Sequence, residues 1–196
     1  MGIALVWFLA VGTGQLILLN YSNAPGLKPQ APSEWPTESQ LKRSGNQPTL
    51  IMFVHPKCPC SRASAGELEL IMAHAQGKVN AKVLFYRPGN LSDSWKETDL
   101  LKSVRRIPGV QVIEDLDGTE AKRFHIFTSG STVLYDSKGH LLFSGGITPW
   151  RGHSGDNAGR SAINALLSGS FKTGRSETFV FGCPIFPQQK QGGNLS

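Results

Sequence analysis

Cysteine is scarce, with 3 in 196 residues, which excludes a small fold stapled by several disulfides. Charge is missing from the start of the chain: no Lys, Arg, Asp or Glu stands between Gly2 and Leu27. The 20 Lys and Arg outnumber the 14 Asp and Glu for a net charge of +6, yet they are scattered. No basic run interleaves with aromatics, which argues against nucleic acid as a partner and leaves mild attraction to an anionic membrane surface. With 39% hydrophobic and 17% charged residues, the rest is globular in character.

The uncharged start is apolar from Ile3 to Leu19, with Thr13 and Gln15 as polar exceptions. About 17 residues is the minimum for a spanning helix, so residues 1–20 read as a membrane anchor or a signal. A cleaved signal expects a basic leader and a small-x-small site. Neither is clear, because no Lys or Arg precedes the run and Ser22-Asn23-Ala24 is followed by Pro25. A single uncleaved transmembrane helix, a signal-anchor at the cell membrane, is the expectation. Lys28, the first basic residue, follows the segment and gives the N-terminus no cytoplasmic bias.

Residues 21–48 carry Pro25, Pro29, Pro32, Pro36 and Pro48 with no helical or strand period, and read as a proline-rich linker. Residues 49–170 read as the folded domain, and 171–196 as a C-terminal extension containing Cys183. Within the domain, Leu50–Val54 is a continuous apolar run, expected of a strand covered on both faces. Leu68, Ile71, Met72 and Ala75 then repeat at helical spacing. Lys82–Tyr86 forms a second buried strand. Ser94-Trp95-Lys96-Glu97 has the form of a capping box opening a helix with Leu100, Leu101, Val104 and Ile107 inward. Gly109–Ile113 reads as a short strand and Thr119–His125 as a short helix. Thr132–Tyr135 and His140–Phe143 flank a turn as a hairpin. A last helix buries Ala162, Ile163, Leu166 and Leu167, with Ser154 or Asp156 as its cap. Parallel strands with right-handed crossovers, then an antiparallel hairpin and a helix, predict an α/β three-layer sandwich with a mixed sheet.

The chemistry concentrates at Cys58-Pro59-Cys60, between the first strand and the first helix of the domain. The unsatisfied N–H groups and positive dipole end of a helix start favour a thiolate, and Lys57 and Arg62 add positive charge. An inert buried pair or a structural disulfide are the bland alternatives. The helix-start position favours a reactive pair. His55 stabilises a thiolate or joins a metal site, or is a satisfied strand-end histidine. Arg151 and His153, in the polar stretch Trp150–Arg160, are further supporting candidates, because the hairpin returns that stretch to the cysteine-bearing edge. Cys183 is a third sulfur that resolves a mixed disulfide, binds a metal, or stands apart. His74, His125 and His140 read as surface or structural.

This order of elements, with two cysteines after the first strand, resembles the thioredoxin superfamily. The segment Gly130–Gly139 is similar to the hairpin of membrane-anchored thioredoxin-like members. His55–Ser64 and Phe143-Ser144-Gly145-Gly146-Ile147-Thr148 resemble the bacterial RedB-like group. The resemblance implies a thioredoxin-like fold, Cys58 as attacking thiol and Cys60 as resolving thiol. Two departures stand out. The spacing here is C-x-C rather than C-x-x-C, so a disulfide would close a very small ring and is expected to be strained and labile. The superfamily's cis-proline before the hairpin is replaced by Ser129-Gly130-Ser131, which leaves room for metal. The expected function is a membrane-anchored thiol–disulfide oxidoreductase with an unidentified protein redox partner, no cofactor, and its domain outside the cytoplasm. One alternative is a soft-metal protein binding copper or zinc through Cys58, Cys60 and His55 or His153. The other is a non-catalytic thioredoxin-like interaction module.

Overall fold

The computed structural model describes residues 2–89, 98–170 and 175–186. The apolar start forms helix α1 (Gly2–Asn23). At 1.5 Å per residue its 22 residues extend about 33 Å, enough for a hydrocarbon core of about 30 Å. None of its residues is buried against the domain.

Strands β1 (Thr49–Val54), β2 (Asn80–Arg87) and β3 (Val110–Leu116) run parallel, joined by α2 (Ser61–Ala75) and α3 (Asp99–Arg105). After α4 (Thr119–Arg123), β4 (Ser131–Tyr135) pairs antiparallel with β1, and β5 (Leu141–Gly145) antiparallel with β4. Helix α5 (Ala158–Leu167) follows, and the two-residue β6 (Ser176–Glu177) adds to β5 in parallel. The sheet order is β3-β2-β1-β4-β5-β6.

Every residue of β1 is buried because layers cover both faces. Side chains alternate along a strand, so Leu50, Met52 and Val54 enter a core with Leu68 and Ile71 of α2, Leu100 and Val104 of α3, and Ile163 of α5. Ile51 and Phe53 face the other way, onto Ala121, Phe124 and Ile126 around α4. Two-sided burial is why this strand reads as an unbroken apolar run rather than an alternation.

Several details differ from the sequence expectations. The Ser94–Glu97 box lies outside the described residues, and the described α3 is capped by Thr98, whose Oγ1 accepts from the Leu101 N–H at 3.2 Å. The cap of α5 is Asn157, not Asp156 or Ser154: its Oδ1 accepts from the Arg160 N–H at 2.7 Å. Extended backbone at Asn157 puts its short side chain over the first turn, while the Asp156 carboxylate pairs with Arg160 at 2.9 Å. Of the four residues expected inward on α5, only Ile163 is fully buried; Ala162, Leu166 and Leu167 are partly covered.

The proline-rich segment is packed onto the domain. Ala31 is buried in the α4-side core, and Trp35 meets Phe124 and Tyr135 edge-on at 5.2 and 5.3 Å. Its backbone is satisfied by loops: Trp35 N–H donates to Gly139 and the Leu141 N–H to Ser33. The chain beyond α5 is integrated too, through β6 and through Ile185, which is buried in the same core.

Candidate functional site

The chain leaves β1 at Val54 and turns through His55-Pro56-Lys57 into the cysteines. The Cys58 N–H donates to the His55 carbonyl at 3.0 Å, and the Cys58 and Cys60 carbonyls accept from Ser61 and Ala63 at 3.2 Å each. These tight bonds wind the backbone before α2 begins. Cys60 sits at the helix N-cap in a helical conformation, with no side-chain capping bond. Both thiols therefore stand at the N-terminal, electropositive end of α2. They are nearly inaccessible: Cys58 is 3% and Cys60 7% exposed.

The cover is the C-terminal segment. Residues 182–185 run antiparallel to 127–129: the Ser129 N–H donates to the Cys183 carbonyl at 2.8 Å, the Ile185 N–H to Phe127 at 2.9 Å, and Thr128 bridges Pro184. Gly182 is required for this approach, because a Cβ there would lie 1.9 Å from the Ser129 carbonyl oxygen. This pairing delivers Cys183 to the other two thiols. The three Sγ atoms lie within 4.8 Å of one another, and all three are free.

Ser61 and Ser129 complete the frame. Their hydroxyls are hydrogen-bonded at 2.8 Å, and the Ser129 hydroxyl accepts the His55 N–H at 2.7 Å. Ser129 thus ties the end of β1, the start of α2 and the covering segment together. Gly130 occupies the place where the resemblance implies a cis-proline. It adopts φ +89° and donates its N–H to the Phe53 carbonyl at 2.8 Å. A Cβ there would press the Ser64 hydroxyl at 2.9 Å, so glycine meets both the backbone and the space requirement.

The thiols are driven apart electrostatically. Burial opposes ionisation of Cys58, but hydrogen bonds from the Ser61 hydroxyl, the Cys183 thiol and the N–H groups of Cys183 and Ser61 outweigh it and hold Cys58 below the ordinary thiol range. Burial and then the charge on Cys58 push Cys60 up, opposed by the Arg151 guanidinium. Burial and the hydrogen bond to Cys58 push Cys183 up to about 12. Of the three, Cys58 is thus the thiol whose ionised form is favoured, by donors that include a neighbouring S–H.

The other sequence candidates are placed as follows. Arg151 is at the site: its charge acts on Cys60 and Cys183. It is held by the Gly182 carbonyl at 2.7 Å and the Ala24 carbonyl at 3.0 Å, and lies over the Tyr21 ring at 5.2 Å. His153 turns away, with Nδ1 2.6 Å from the Arg151 carbonyl and its ring against Trp150. The half-buried His55 stacks on Tyr86 at 5.7 Å, and its Nδ1 accepts the Lys57 N–H at 3.2 Å. Burial, then the Lys57 charge, lowers its basicity. Arg62 pairs with Asp99 at 3.6 Å. Among the described residues, the group of metal-ligating side chains is Cys58, Cys60 and Cys183. His55 and His153, the third ligands expected from the sequence, are not in that group, whose third member is Cys183. His74, His125 and His140 are engaged locally, with Leu70, Gln30 and Asp136.

No protein-family model and no curated protein matches the sequence. Solved structures do. A hypothetical protein from Sinorhizobium meliloti superimposes with a TM-score of 0.57 at 17% identity, over 84% of this chain and 96% of its own. An uncharacterized conserved protein from Geobacillus kaustophilus gives 0.56 at 17% identity, over 86% and 96%. A secreted Mycobacterium tuberculosis disulfide oxidoreductase homologous to E. coli DsbE gives 0.44 at 16% identity, over 64% and 83%. Three parallel strands, an antiparallel hairpin on the β1 side, helices on both faces and thiols at the first crossover helix make one pattern: the chain has the thioredoxin-like fold.

Proposed function

We propose that the protein is a membrane-anchored thiol–disulfide oxidoreductase whose attacking group is the Cys58 thiolate. The observation that carries this reading is the placement of Cys58 and Cys60 together at the N-terminal end of α2, their sulfurs within 4.8 Å of each other; hydrogen bonds donated to Cys58 further favour its ionised form. A thiolate poised at a helix start is the nucleophile of disulfide exchange.

The reaction runs in two displacements. Cys58 attacks one sulfur of a substrate disulfide. The S–S bond breaks, a mixed disulfide forms, and the departing thiolate takes a proton. Cys60 then loses its proton and attacks the Cys58 sulfur, releasing the second substrate thiol. The substrate gains two electrons and two protons, and Cys58–Cys60 is left as a disulfide. In the opposite direction the pair is an oxidant. Arg151, whose charge favours the thiolate of Cys60, assists the second displacement. Because residues 182–185 cover the thiols, a protein substrate needs that segment to open. Helix α1 supplies the anchor, and we assign the domain to the extracytoplasmic side, where such disulfides persist.

The test is a redox titration of the full chain in detergent, under chelation, by thiol trapping in graded glutathione buffers. A reversible two-electron transition lost in both Cys58→Ser and Cys60→Ser is expected. If no disulfide forms at any poise, the oxidoreductase reading fails.

A further inference from the structure

The redox reading needs two sulfurs, and the molecule gathers three. Cys183 lies 123 positions after Cys60, and its arrival depends on a dedicated antiparallel pairing, on Gly182, and on Ile185 buried in the core. We propose that the reduced Cys58, Cys60 and Cys183 form a three-thiolate site for a soft monovalent cation, Cu(I).

The geometry is nearly assembled. Sulfurs placed about 2.3 Å from one ion in a trigonal plane stand about 4.0 Å apart. The three Sγ atoms already lie within 4.8 Å of one another, so closure requires a contraction of less than about 1 Å. Each sulfur comes from a differently held piece of backbone: the turn after β1, the N-cap of α2, and the paired C-terminal segment. The thiols are linked by hydrogen bonds to Cys58, whose protons an ion would displace.

The surroundings suit this ion. Two of the three thiols are buried, so water competes poorly for it. Three thiolates around a monovalent cation leave an excess of two negative charges. The Arg151 guanidinium, the α2 N-terminus, and donors from Ser61 and the Cys183 N–H offset that excess. Thiolates are soft ligands that select Cu(I) among biological cations. A closed zinc site takes four ligands, and among the described residues no fourth His, Cys, Asp or Glu joins the cluster. Coordination transfers no electrons; each thiol that binds releases its proton to solvent.

The test uses the full-length protein in detergent, reduced and anaerobic, titrated with Cu(I) against a chromogenic Cu(I) chelator. The expected result is one Cu(I) per chain. Cys183→Ser is expected to lower affinity by at least the roughly tenfold that loss of even a supporting contact costs a metal site, while His55→Ala and His153→Ala leave it unchanged. Wild-type affinity in Cys183→Ser overturns the proposal. Because that variant also perturbs the covering segment, X-ray absorption on the loaded wild-type protein gives a second readout. Three sulfurs at about 2.3 Å support the site; two sulfurs, or a nitrogen in the shell, overturn it. The redox titration stands or falls separately, because it reads a Cys58–Cys60 disulfide with metal removed by the chelator.

Discussion

The N–H of Ser129 donates to the carbonyl of Cys183 at 2.8 Å, and through this bond the C-terminal segment becomes the lid of the thiol site. The same serine's hydroxyl holds the His55 N–H and the Ser61 hydroxyl. Ser129, two residues before β4, therefore links the strand that precedes the cysteines, the helix that follows them and the segment that covers them. Disturbing the lid should change the thiols without touching them.

Gly182→Ala is the sharpest such change. A Cβ at position 182 would sit 1.9 Å from the Ser129 carbonyl oxygen, a backbone atom that cannot swing aside. The segment must shift, weakening the bonds from Ser129 to Cys183 and from Ile185 to Phe127. At about 1 kcal/mol each, their loss raises the open population roughly 30-fold. Iodoacetamide modification of Cys58, followed by mass spectrometry, should accelerate by a similar factor. An unchanged rate would mean that the lid does not govern access.

Ser61→Ala tests the thiolate. The Ser61 hydroxyl donates to the charged form of Cys58, so its removal favours the protonated thiol. The midpoint of the Cys58 alkylation profile should move to higher pH and the rate at pH 7 should fall. A hydrogen bond to a charged group contributes about 1.5–3 kcal/mol, or about one to two pH units. A midpoint that stays put or moves down contradicts the assigned role.

What could be read from the sequence, and what could not, follows from the range of each interaction. Leu50–Val54 is a local run, and its meaning depends only on being covered on both faces. The thiols at the start of α2 are legible for the same reason, because a strand followed by a helix places the intervening turn at a helix N-terminus. Ala31 and Trp35 are not legible: a segment without a period gives no face, and its backbone bonds go to loops around Gly139 and His125. The partnership of Cys183 with Cys58 has no local signature, since it rests on pairing between residues 127–129 and 183–185. Nor does the sequence mark Ser129, whose hydroxyl is central to the site, because its partners His55 and Ser61 lie 74 and 68 positions earlier. The α5 cap is Asn157 rather than Ser154 or Asp156, because all three are capable caps and backbone conformation decides among them.

The loop that carries Arg151 depends on a buried carboxylate. Glu67, fully buried in α2, accepts the Gly155 N–H at 2.7 Å and the Asn157 amide at 3.1 Å, and pairs with Arg160. Glu67→Ala removes the buried acceptor of Arg160 and Asn157, leaving the Arg160 guanidinium only the exposed Asp156 carboxylate and the Asn157 amide only the Gly155 carbonyl. Removing one partner of a buried pair costs about 3–5 kcal/mol, and urea unfolding should register a loss of that size. A loss below about 1 kcal/mol, typical of exposed pairs, would mean that Asp156 and solvent suffice for Arg160.

The hairpin turn predicts a pH dependence remote from the thiols. Burial raises the Asp136 carboxyl, but donors from the N–H groups of His140, Gly139 and Lys138 and from the His140 ring outweigh it and hold the carboxyl below its ordinary value. A carboxylate depressed in the folded state binds its proton less readily there than in the unfolded chain. Its contribution to stability is therefore complete above the unfolded value of about 3.9 and disappears as pH falls through the folded one. Asp136→Ala should cost about 1 kcal/mol or more at pH 6, and that cost should shrink towards pH 3. Denaturant unfolding of both proteins at the two pH values measures the difference. An equal cost at both would assign the turn's stability to the backbone rather than to the ionised side chain.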